Sequence, residues 1–367
     1  MRVVDFVSSF RVSARSPGFW LVLVVGVLRL SYCFSVPLYS TDILRNLGYG
    51  IEFHYYGLRV YEMTPYDFSP EIYQYFWPNH HYTYPAVTLL FFAAVAKVWA
   101  SIVFAKLLLT AVECLNGWLV YRVTQDRWCA WLYFCHPLSL WFVSHEGQFE
   151  PIVNLLTLLS LLLWQKNRLS AFLFLSLAVQ TKLFPIFLFP LFLARMLRLS
   201  WRRTLQALGW GCIGLLPSGV AAWNSAYLAH LFLPGYVPKS NPITWALMDH
   251  GLQAFTPLWI VLSHWIAGIV FLGAILVFMR SEQRFLPFLA PLIFVAFVKA
   301  NPVGQFWYML LTPVFCLPVE HRNHRRILLA LTLPFGLHSL WSIVAGPVGY
   351  CNPSPVMDIL RRSMFGI

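Results

Sequence analysis

Twelve strongly apolar stretches follow one another through the chain, at 19–38, 84–99, 102–121, 128–143, 151–164, 169–179, 184–197, 205–222, 255–279, 286–298, 306–317 and 327–345. Apolar runs of this kind predict α-helices, and a series of them predicts an all-α polytopic membrane protein. Several are shorter than the roughly 20 residues of a full span, so the expected bundle has about 11–12 transmembrane or re-entrant helices. Two longer polar segments interrupt the series, 39–82 and 224–251, and both are rich in Tyr, Trp, Pro and His rather than Gly and Ser. They read as ordered caps over a cavity, not as linkers. With no internal repeat or low-complexity tract, 1–367 reads as one integral membrane domain.

Composition agrees with the pattern: 59% of residues are hydrophobic and 17% aromatic against 11% charged, with a mean hydropathy of +0.65. So little polar surface cannot solvate a globule of this size. The formal net charge of +12 points to topology and not to nucleic acid, because the basic residues cluster in the connections between apolar stretches. Arg2, Arg11 and Arg15 precede the first stretch, which has no small-residue cleavage site; it is expected to be retained, with its N-terminal end cytoplasmic. The cysteines form no CxxC pattern or disulfide framework.

If every stretch crossed, the clusters at Arg122 and Arg127, Lys166 and Arg168, and 195–203 would all lie outside, against the positive-inside rule. Stretch 84–99, which opens beside Pro85 and carries Lys97, is therefore expected to be re-entrant or interfacial. The extracytoplasmic side then receives the catalytic loop 39–82, the run 145–150, Thr181 and Lys182, the loop 224–251, the run 301–305, and the tail with Arg361 and Arg362. Short connections and small size favour a bacterial plasma (inner) membrane.

The polar residues that interrupt this apolar chain are the candidates for chemistry. Asp42, three residues before Arg45, is either a helix cap with a local ion pair or a general base at the membrane surface. His145, Glu146, Gln148 and Glu150 fall within six residues at a helix junction. That mixture of donors and acceptors suits sugar hydroxyls, and a metal is the weaker reading for want of a second His. Lys106 and Lys182 are compact cations suited to a phosphate, although Glu113, two turns beyond Lys106, offers an internal ion pair instead. His80 and His81 are further phosphate or metal candidates. Gln305, Trp307 and Tyr308 suit an interfacial aromatic belt or a lipid or sugar platform, and His136 a hydrogen-bonded core position.

The order of Thr41-Asp42, 57–66 ending in Thr-Pro-Tyr, Tyr82-Thr83-Tyr84-Pro85, His136-Pro137, Gly147-Gln148-Phe149-Glu150, Thr181-Lys182 and Gln305-Phe306-Trp307-Tyr308 resembles the GT-C membrane glycosyltransferases. Within them it is most similar to the polyprenyl-phosphate-mannose-dependent group of GPI mannosyltransferases and their bacterial relatives. The resemblance implies an inverting transfer of a hexose, mannose first, from a polyprenyl-phosphate donor to a lipid or glycan acceptor. It assigns the base to Asp42, and the donor phosphate to Lys182 and Lys106 with His80 or His81. The sugar or acceptor falls to Arg45, His145, Glu146, Gln148, Glu150, Gln305, Trp307 and Tyr308. In the GPI enzymes this loop carries a paired-acid Asp-x-Asp, whereas Asp42 is followed by Ile43-Leu44-Arg45; a divalent metal cofactor stays open on that account. No segment resembles a nucleotide-binding domain. A lipid-linked glycan flippase is the alternative, but the inverted repeats and matched broken helices of such transporters are not found.

Overall fold

The computed structural model describes residues 17–37, 42–68, 81–231 and scattered positions from 251 onward, among them 322–323, 325–327 and 361–366. The stretches 286–298 and 334–345 and most of the loop 224–251 lie outside the described residues. The described part is helical, and no strand occurs among its residues.

Helix α1 (Pro17–Cys33) presents Trp20, Leu21, Leu23, Val24, Val27, Leu28 and Leu30 outward while burying Arg29 and Cys33. This is the reverse of a soluble helix, whose apolar stripe faces the core. Residues 42–68, expected as a loop, are instead helical: α2 (Asp42–Tyr56), a 3-10 turn at Gly57–Tyr61 and the short α3 (Pro65–Phe68). The reason is packing. Residues 43–50 are buried, and Gly50 lies so near α4 (Ala86–Trp99) that a Cβ there would sit 2.5 Å from the Phe92 carbonyl oxygen. Helix α4 has 14 residues, a rise of about 21 Å.

Helix α5 (Ile102–Thr124) is the central element, with 23 residues rising about 34 Å. Ser101 caps its start by accepting from the Phe104 amide, and Gln125 ends it in the left-handed conformation. Among the described residues it is the one helix long and apolar enough to cross a membrane by itself. Stretch 128–143 divides into α6 (Arg127–Phe134) and a π-helical segment, Ser139–His145, because Pro137 interrupts the ladder. That segment and α7 (Glu150–Lys166) pass the same test as a bent pair, with 118° between their axes. Helix α8 (Arg168–Val179) packs against α7 and against α10 (Trp201–Gly214), with α9 (Leu188–Leu199) beside them. Short helix α11 (Leu216–Ala221) packs on α4, and α12 (Ser225–Leu231) on the 3-10 turn after α2.

Both ends of α5 are tied down by distant chain. Beyond its C-terminal end, Asp126 accepts from Arg322 Nε at 3.1 Å and Arg326 Nε at 2.7 Å. At the other end the amides of Ile102 and Val103 donate to the Ser363 and Met364 carbonyls, and Ser101 Oγ to Met364 as well.

Inside the bundle, Arg29 donates to the Phe134 carbonyl at 2.6 Å and to Ser139 Oγ at 3.0 Å. Ser139 Oγ donates on to Glu113, which also accepts from Tyr133 and Asn116. Glu113 is therefore coupled to Arg29 through Ser139, and the Lys106 to Glu113 ion pair considered from their spacing is not made: Lys106 Nζ donates to the Ser35 carbonyl at 2.7 Å. Arg29 did not stand out in the sequence, since one arginine in an apolar run reads equally as a snorkelling side chain. His136 is a buried, hydrogen-bonded residue, within 3.2 Å of Thr332 Oγ1.

Candidate functional site

Asp42 opens α2, where the helix dipole favours a carboxylate. Its Oδ1 accepts from Arg45 Nη2 at 3.2 Å, one helical turn on, and its Oδ2 accepts from Tyr84 OH and Gln148 Nε2, each at 3.4 Å. The carboxylate is thus fixed from three separate stretches of chain while its side chain is 13% exposed. The local ion pair and the candidate base are the same arrangement: an acid held in one orientation but still reachable. The Arg45 guanidinium lies 5.4 Å over the Tyr84 ring. Burial works against the charge on Arg45, but Asp42 beside it raises its pKa above the ordinary arginine value, so it stays cationic.

Gln148 reaches Asp42 because the chain turns sharply after the π-helical segment. Gly147 holds φ at +75°, and a Cβ there would overlap Ile43 Cδ1 and sit 3.2 Å from Lys106 Cγ. Only glycine fits both the conformation and the space. Phe149 and Glu150 follow, and both are fully buried.

Glu150 Oε1 accepts from Lys182 Nζ, which comes from the turn after α8. Lys182 Nζ also lies 5.1 Å over the Phe149 ring, whose neighbour 4.8 Å away, edge to face, is Tyr84. Thr88 Oγ1 donates to the Thr181 carbonyl at 2.7 Å, tying the turn to the start of α4. Glu150 is thereby placed as the partner that holds Lys182. Burial disfavours the charge on Lys182 and lowers its pKa, and the contact with Glu150 opposes that shift.

Asp42, Arg45, Gln148, Glu150 and Lys182 therefore come together, with Tyr84 and Phe149 between them. Lys106, His145 and Glu146 form a neighbouring group on the α1 side. His145 Nδ1 is 2.8 Å from Glu146 Oε1, and its ring stacks on Trp141 at 4.3 Å and meets Tyr32 edge-on at 5.5 Å. Among the described residues no three His, Cys, Asp or Glu side chains converge as a metal-binding group. His81 stacks on His230 of α12 with centroids 3.9 Å apart. His80, Gln305, Trp307 and Tyr308 lie outside the described residues. Tyr84 and Phe149 join the site although neither stands out as a candidate by residue type; the sequence signal for Tyr84 is its place in Tyr82-Thr83-Tyr84-Pro85.

No family model matches the chain. It is similar to the catalytic subunit of GPI alpha-1,4-mannosyltransferase I from Danio rerio, 28% identical over 304 residues that cover 72% of this chain and 74% of that protein. This is a distant mannosyltransferase-like relationship. It is consistent with a glycosyltransferase whose chemistry must be sought in the polar groups of a largely apolar molecule.

Proposed function

We propose that the chain is an inverting glycosyltransferase, integral to a membrane, that moves a hexose, mannose first, from a polyprenyl-phosphate donor to a lipid- or glycan-linked hydroxyl on the extracytoplasmic face. The observation that carries this reading is Asp42, held by Arg45, Tyr84 and Gln148 and joined through Tyr84 and Phe149 to Lys182. A base and a cation belong on opposite sides of a displacement at an anomeric carbon.

In the proposed step the acceptor oxygen attacks the anomeric carbon while Asp42 takes the hydroxyl proton. The bond from that carbon to the phosphate oxygen breaks, and the electron pair leaves with the lipid phosphate. Lys182 meets the charge that develops on the leaving oxygen, and Glu150 holds it in place. Lys106 is the second proposed cation, its stem beside Gly147.

The outward apolar face of α1 and the inward Arg29 support a lipid surround, where a polyprenyl chain is at home. The mannosyltransferase-like relative supports the sugar. Incubating the full-length protein in lipid with radiolabelled polyprenyl-phosphate-mannose and a lipid extract tests the reading. Transfer by wild type and none by Asp42→Asn is the expected result; equal transfer by both removes Asp42 as base, and none by either, with donor binding absent, overturns the proposal.

A further inference from the structure

One helical turn beyond Asp42, α2 carries Asn46, which is 1% exposed and has no hydrogen-bond partner on either amide atom. A spacing of four residues sets it on the Asp42 side of the helix. Ahead of α4, Tyr82 is also 1% exposed, and its hydroxyl is likewise unpartnered. The Tyr82 ring packs on Tyr49 at 4.5 Å and on Tyr84 at 5.6 Å, and Tyr84 is one of the three donors to Asp42. Arg45, paired with Asp42 through Nη2, leaves its buried Nε without a partner.

Buried polar groups are nearly always hydrogen-bonded, because dehydrating them without a replacement is costly. Here three side chains break that rule, each either within one turn of Asp42 or packed on a residue that touches it. The remainder of α2 shows no such laxity: Gly50 is pressed against the Phe92 backbone, and Ile43 against Gly147. Burial holds the Tyr82 phenol well above its ordinary pKa, despite the opposing pull of Arg45, so its hydroxyl remains a donor. An amide, a phenol and a guanidinium N–H together supply donors and an acceptor, the set that matches neighbouring hydroxyls on a sugar ring.

We infer that Asn46 and Tyr82, with Arg45 Nε, form a hydroxyl-binding subsite that seats a sugar ring against Asp42 and reads its hydroxyl configuration. The inference rests on the proposed hexose transfer and adds to it the residues that choose the sugar. A donor hexose and an acceptor sugar share this chemistry, so the test separates them.

The full-length protein in lipid nanodiscs is titrated with a sugar-free prenyl phosphate, a prenyl-phosphate-mannose and octyl mannoside, with intrinsic tryptophan fluorescence as the readout. Asn46→Leu and Tyr82→Phe are compared with wild type; the second removes a single oxygen and guards against misfolding. Both variants should bind the sugar-free lipid as wild type does and lose roughly tenfold or more on a sugar-bearing probe. Loss on prenyl-phosphate-mannose assigns the subsite to the donor ring, and loss confined to octyl mannoside assigns it to the acceptor ring. Unchanged binding of both sugar-bearing probes, or an equal loss on all three, overturns the subsite alone. A wild type that does not distinguish sugar-bearing from sugar-free lipid brings down the subsite and the proposed function together.

Discussion

Gln148 donates to Asp42 Oδ2 at 3.4 Å across 106 residues of sequence. The contact ties the start of α2 to the turn between the π-helical segment and α7, so the orientation of the candidate base depends on how the bundle packs. Asp42→Asn removes the proton acceptor with almost no change of shape. Transfer should fall by about 10²-fold or more, as general base catalysis contributes that much, with donor binding near wild type and a lowered melting temperature, because Arg45 loses its anionic partner. Single-turnover transfer beside donor titration checks this. Gln148→Leu should lower the transfer rate less, since it leaves the base and loosens its aim.

Lys182 and Glu150 form a buried pair, 6% and 0% exposed at their side chains. Removing one partner of such a pair strands a charge and costs about 3–5 kcal/mol. Lys182→Met and Glu150→Gln should each lower thermal stability in detergent, and the double variant should recover much of it. Donor binding should not return with stability in the double variant, because the ammonium is absent. A double-mutant cycle on melting temperature and donor affinity separates the two roles.

Gly147→Ala should cost about 1–3 kcal/mol and most of the activity, since it meets an unfavourable backbone conformation and the Ile43 side chain at once. Adding Ile43→Val removes the overlapping methyl but not the backbone strain. Partial recovery of the melting temperature is therefore the expected outcome, and full recovery would show that φ at 147 matters little.

Arg29 spans the Phe134 carbonyl, the Ser139 carbonyl and hydroxyl, and Ser144 Oγ. A planar guanidinium can serve that spread and a single ammonium cannot. Arg29→Lys should accordingly destabilise the protein nearly as much as Arg29→Met, measured by retention of monodisperse protein after heating in detergent.

Asp126 gives the protein a dependence on acid. Burial opposes its charge, but hydrogen bonds from Arg326 and Arg322 prevail and hold the carboxyl well below its ordinary value of 3.8. A depressed folded pKa contributes stability that is fully present above the unfolded value and is lost as pH falls toward the folded one. Melting temperature should therefore be flat above about pH 5 and drop below about pH 4. Asp126→Asn should lower the plateau and flatten that drop, which a melting series from pH 3 to 7 reads directly.

The sequence by itself determined that the chain is helical and apolar, because long hydrophobic runs admit few other backbones. It also singled out Asp42, Gln148, Glu150 and Lys182, because ionisable and amide groups are costly at apolar helix ends unless something uses them. It did not show that residues 42–56 are a helix: Arg, Asn, Glu, His and two glycines make the segment too polar to stand out beside the apolar runs, and Gly50 lets it pack closely on Phe92 of α4. Pairings were beyond its reach. Lys106 and Glu113 share a face of α5, yet each found a partner elsewhere, Ser35 for one and the Arg29 network for the other. That Glu150 meets Lys182, from the turn after α8, is likewise a matter of packing. Residue chemistry is local and readable along the chain, whereas which charges meet is decided by the crossing of helices far apart in sequence, and that only the packed structure supplies.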